Sequence, residues 1–127
     1  MKYMLLSYGN ENAWLAMSPE QQAAEMAKCE PHVKKLLAAG KILDGATLHP
    51  TTAATTVRVK RGKRLVTDGP FAETREQLGG YSIIEAANLD EAIEIAGGFF
   101  GDEAGDGLVS IEVRPIVDYK MPEPAAS

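Results

Sequence analysis

Asp68-Gly69-Pro70-Phe71-Ala72-Glu73-Thr74-Arg75-Glu76-Gln77-Leu78-Gly79-Gly80 lies between two strand-like runs, and the fold is read outward from it. Asp-Gly favours a tight turn, because glycine accepts a positive φ and aspartate can bond the backbone just ahead. Pro70 fixes its own φ and keeps Gly69 out of the right-handed helical region. A loop this stiff aims the residues that follow it. Phe71 is expected to be substantially buried, anchoring the loop from below, and Asp68 to take backbone hydrogen bonds at the turn. Glu73, Arg75 and Glu76 place charge beside that ring.

Before the loop, residues 55–60 and 65–67 are rich in β-branched side chains and flank Arg61-Gly62, the pattern of a hairpin. After it, residues 80–86 read as a strand centred on Ile83 and Ile84. A helix opens at Asn88 with the stripe Leu89, Ala92, Ile93 and Ala96, and closes at Gly97-Gly98. Residues 99–107 are glycine-rich and acidic and read as a solvated loop. Residues 108–117 form a last strand, in which Pro115 marks an edge or an end.

At the other end of the chain, residues 2–8 are a strand with apolar side chains on both faces. A sheet covered on one side only would alternate with polar residues, so something covers the second face. Residues 9–17 connect to a helix announced by Ser18, Pro19 and Gln21, a capping box with proline at the first helical position. Met26, Cys29, Val33, Leu36 and Leu37 supply its apolar side. Pro31 is expected to kink or split it near Glu30. Gly40 suits the exit, and a short strand follows with a bend or bulge at Gly45. The order is strand, helix, strand, hairpin, strand, helix, strand: an α+β, ferredoxin-like βαββαβ core with an inserted β-hairpin. Residues 1–119 make one domain and residues 120–127 a disordered tail.

The net charge of −5 argues against a nucleic-acid partner. The cluster Lys60-Arg61-Gly62-Lys63-Arg64 is explained by a solvated hairpin tip. One cysteine forbids an internal disulfide and fits a cytoplasmic setting. No signal-peptide pattern and no membrane-spanning run is read, and no Cys/His spacing suggests zinc. No cofactor fingerprint is present. The doubly apolar first strand implies a homodimer, with helices on one face and a second copy on the other.

The run Val66-Thr67-Asp68-Gly69-Pro70-Phe71-Ala72-Glu73-Thr74, with Gly79-Gly80-Tyr81 behind it, resembles the DGPF group of YCII-related proteins. The resemblance extends through Met1-Lys2-Tyr3-Met4-Leu5-Leu6, Thr56-Val57-Arg58, Leu89-Asp90-Glu91-Ala92 and Ile111-Glu112-Val113-Arg114-Pro115-Ile116. It implies a small domain of the dimeric α+β barrel type. The role of such proteins is mostly unassigned; some relatives are suspected enzymes and others accompany transcription factors. Some resemble His–Asp enzymes with the histidine on the first helix. Aligned on Gly40, that histidine falls nearer Cys29 than His32, and Phe99-Phe100-Gly101-Asp102 replaces their acidic turn. The dyad is therefore expected to be absent or rewired.

The remaining chemistry lies near the loop. Asp68, Glu73 and His32 are the candidates for acid–base work, since a partly desolvated carboxylate or an imidazole can hold a proton near neutrality. Arg58, Asp68, Phe71, Glu73 and Arg75 are the candidates for ligand binding, with Arg75 meeting an anionic group. The opposing explanation is a cap and surface ion pairs. Two functions follow: a homodimer with a small-molecule ligand in a cleft walled by the loop, or a non-catalytic regulatory or interaction module.

Overall fold

The computed structural model describes residues 1–100 and 109–125. The elements are β1 (Lys2–Gly9), α1 (Glu11–Leu15), α2 (Pro19–Ala38), β2 (Ile42–Thr47), a 3-10 turn (Thr51–Ala53), β3 (Thr55–Lys60), β4 (Lys63–Asp68), β5 (Gln77–Glu85), α3 (Leu89–Gly98) and β6 (Val109–Pro115). Four strands form an antiparallel sheet in the order β2-β5-β1-β6, and β3 pairs only with β4 in a separate ladder. With the β3–β4 ladder and the short α1 set aside, this is the βαββαβ order of a ferredoxin-like α+β fold, with β1 and β5 central.

Local chemistry explains the ends of these elements. The Ser18 hydroxyl accepts the Gln21 amide and the Gln21 side chain accepts the Ser18 amide, so the capping box is complete. Gly40 follows the helix at φ 68°, the left-handed exit that glycine makes without a Cβ penalty. Of the kink or split expected at Pro31, the split does not occur, and α2 runs through it. Pro31 lies on the exposed side, where the carbonyl it leaves unpaired reaches water. The 9–17 connection is also not wholly loop, because the Asn10 side chain caps the Ala13 amide and starts α1.

The core lies between sheet and helices. Tyr3 and Leu5 of β1 and Ile84 of β5 meet Leu36 of α2 and Ala92, Ile95 and Ala96 of α3. This narrows both helix stripes. Met26 and Leu37 of α2 and Leu89 and Ile93 of α3 are exposed, while Cys29, His32 and Val33 turn partly inward. The centre of each stripe faces inward as expected, with Cys29, Val33 and Leu36 of α2 and Ala92 and Ala96 of α3, while its flanking members lie outside and His32 and Ile95 turn inward instead.

The other sheet face carries Met4, Leu6 and Tyr8 of β1 opposite Ile83, Tyr81 and Leu78 of β5. All six are half-buried, and the core residues of α2 and α3 lie on the opposite side of the sheet. In β2 the register slips between Ile42 and Asp44, so the bulge precedes Gly45. Gly45 serves close approach instead: a Cβ there would lie 2.9 Å from the Tyr81 carbonyl oxygen.

Candidate functional site

A concavity of about 420 Å³ opens beside the β2 edge of the sheet. Val33 of α2, Ile42 of β2 and Phe99 after α3 give it apolar walls, and Asp44, Thr47 and Ser82 give it polar ones. Gly45 and Ser82 pair across β2 and β5, so the missing side chain at 45 bares backbone beside the serine. The concavity is open to solvent, and its lining mixes apolar walls with a few polar groups as small-molecule sites do. Phe99, Ser82 and Asp44 were not singled out in the sequence. Their only signal was the aromatic pair Phe99-Phe100 directly after the Gly97-Gly98 helix exit.

His32 stands behind one wall of this concavity. Its Nε2–H donates to the Ile95 carbonyl oxygen at 2.8 Å, which fixes the proton on that nitrogen. Its ring meets the Phe99 ring edge-on, with centroids 4.9 Å apart. A Cβ at Gly98 would overlap the imidazole, so glycine is needed there. His32 is thus packed between α2 and the end of α3. Among the described residues no hydrogen bond or ion pair joins it to Asp68 or Glu73.

The loop after β4 differs from expectation in two ways. Phe71 is 75% exposed, so it does not anchor the loop from below. The Gly69 amide bonds the Ala54 carbonyl, and Asp68 makes no hydrogen bond or ion pair among the described residues. The β3–β4 ladder holds the loop in its place: the Thr56 hydroxyl donates to the Gly69 carbonyl at 2.7 Å and Arg58 Nη2 to the Phe71 carbonyl at 2.8 Å. A ring with no pocket among the described residues stays outside, whatever the stiffness of its turn. Glu73 and Arg75 are exposed, and none of Arg58, Asp68, Phe71, Glu73 and Arg75 lines the concavity. The two are nonetheless joined by β5, which leaves the loop at Gln77 and reaches the concavity at Tyr81, roughly 14 Å further along the strand.

A latch that the sequence did not announce holds the root of this region. Glu11 accepts the Thr51 amide and the Thr51 hydroxyl, both at 2.7 Å, and the Glu11 amide donates to Gln77. Two carboxyls at the far end of the sheet lie below the usual carboxylate range. Glu85 is held down first by its hydrogen bond from the N-terminal ammonium, and Glu91 first by that from Lys41. Among the described residues no group of three or more His, Cys, Asp or Glu could hold a metal ion. No described helix is long and apolar enough to cross a membrane. Asp102 and the acidic stretch around it lie outside the described residues.

Fold and concavity together define a ferredoxin-like α+β domain with a two-stranded arm. Residues 1–119 match the YCII-related domain, and the chain belongs to that family. It is also 42% identical over 123 residues to an uncharacterized protein of Rhizobium meliloti (strain 1021), an alignment spanning 97% of this chain and 98% of that one.

Proposed function

We propose that this chain is a DGPF-group member acting as a homodimer that binds a small molecule in the concavity between α2 and β2. The concavity itself carries the reading, because its apolar walls and the polar side chains of Asp44, Thr47 and Ser82 suit a ligand with an apolar body and a polar end. The 68–76 loop lies along β5 from this site, and Arg75 and Arg58 are candidates for an anionic group bound at the loop, outside the concavity. Asp68, Glu73 and His32 remain the candidates for any proton transfer. The half-buried outer sheet face supports the homodimer, since Met4, Leu6, Tyr8, Tyr81 and Ile83 there await a cover. The single cysteine suits a cytoplasmic home.

Native mass spectrometry of the freshly purified protein, followed by thermal-shift screening of a metabolite library, tests the site. A bound molecule or a stabilising hit should disappear in Val33→Trp, which fills the concavity. Absence of any ligand from the wild type, or a hit that Val33→Trp leaves intact, overturns the reading. A second reading, a non-catalytic interaction module associated with transcription, is favoured by one observation. Phe71 and the valines of the β3–β4 ladder form exposed apolar surface, which marks contact with another protein.

A further inference from the structure

The β3–β4 ladder is an arm with two unlike faces. The pairs Thr56–Thr67, Arg58–Leu65 and Lys60–Lys63 form one face, and it is basic. The pairs Thr55–Asp68, Val57–Val66 and Val59–Arg64 form the other. From root to tip that second face reads Asp68, three valines, Arg64. Its valines are 60%, 75% and 63% exposed at positions 57, 59 and 66. A lone two-stranded hairpin is marginally stable in water, so a bare β-branched face on one calls for a cover.

The charge pattern names the cover. Arg64 and Asp68 sit on one face of one strand four residues apart, roughly 13 Å, too far to pair with each other. Neither makes an ion pair with any described residue. Turned about a two-fold axis and laid face to face, a second arm runs in the opposite sense. Val57 then meets Val57 and Val66 meets Val66, Val59 of each copy lies over Thr55 of the other, and the tip arginine of each copy meets the root aspartate of the other. The face is self-complementary, as an isologous contact requires.

We infer that the Val57–Val59–Val66 face of the β3–β4 arm docks on the same face of a second copy of this chain, with Arg64 of each copy paired to Asp68 of the other. This rests on the homodimer reading above and extends it. Asp68 becomes an interface residue, and the two 68–76 loops are held in fixed relation by the contact.

The test uses full-length chains and sedimentation at micromolar concentration, with circular dichroism to confirm folding. Arg64→Asp and Asp68→Arg should each weaken the dimer at least tenfold, because each creates two like-charge contacts. Mixed in equal amounts, the two variants should form heterodimers of near wild-type affinity, since both cross-arm pairs are then restored with reversed sign in one of them. Val59→Asp should weaken the dimer by a similar factor. Single variants that dimerise like the wild type, or a mixture that stays dissociated, overturn the docking. A monomeric wild type instead overturns the homodimer reading on which it stands.

Discussion

His32 and Ile95 are joined across the two long helices by a 2.8 Å hydrogen bond from imidazole to carbonyl. The last turn of α3 tightens, with the Phe99 amide bonded to the Ala96 oxygen, so the Ile95 oxygen is left over by the backbone. His32 takes it up, and Gly98 makes the room.

Gly98→Ala should therefore destabilise the protein by about 1–3 kcal/mol, the usual cost of forcing atoms into an occupied space. In a His32→Ala background the same change should cost markedly less. Urea melts of the four proteins form a double-mutant cycle. Additive effects would show that the ring and Gly98 do not share that space.

Core and loop should respond in opposite ways to truncation. Leu5 and Ile84 are 1% and 0% exposed, so either change to alanine should cost about 2–5 kcal/mol. Phe71→Ala should stay within about 0.5 kcal/mol in the monomer, because its ring is already in water. A large loss of monomer stability from Phe71→Ala would mean that the ring has a seat inside the chain.

The Lys41–Glu91 pair gives an acid-side signature. Its 2.7 Å hydrogen bond holds the Glu91 carboxyl below 4.5, the value to which it returns on unfolding. The stabilisation is fully present above pH 4.5 and is lost as pH falls through the lower folded value. Both partners are about one-third exposed, so the effect is small. Glu91→Gln should lose less stability than the wild type below pH 4.5, measured as the shift in urea midpoint. Parallel midpoint curves for the two proteins would refute it.

The outer sheet face gives the proposed homodimer a test. Leu6→Asp places a charge among Met4, Tyr8, Tyr81 and Ile83 without entering the helix-side core. It should shift sedimentation toward monomer while leaving the far-ultraviolet dichroism unchanged. A dimer indifferent to this charge would place the subunit contact elsewhere.

The element order was legible because its signals are local. Ser18 with Gln21, Asn88, Gly40 and Arg61-Gly62 each act within one turn of chain, and each stands where it was read. The site was less legible because its determinants act between distant residues. Nothing adjacent to His32 announces Ile95, 63 positions away, or the glycine that admits the ring. Phe71 misled for a related reason. Turn chemistry sets the direction of a side chain but not what waits there. Pro31 leaves α2 continuous because its cost depends on which side of the helix meets water.

The β3–β4 ladder is hydrogen-bonded to itself and shares no strand with the four-stranded sheet. Its Arg61-Gly62 turn has φ of 53° and 75°, the mirror-image geometry that suits a right-twisted hairpin. Such a unit can form from its own sequence on the order of microseconds, ahead of the long-range pairing of β1 with β5 and β6. It can also melt without the rest. Amide protons of Arg58 and Leu65, which bond across the arm, should therefore exchange through a local opening, while those of Leu5 and Ile84 wait for global unfolding. In a dimer held by the arms, that local opening would be the step that lets the subunits part.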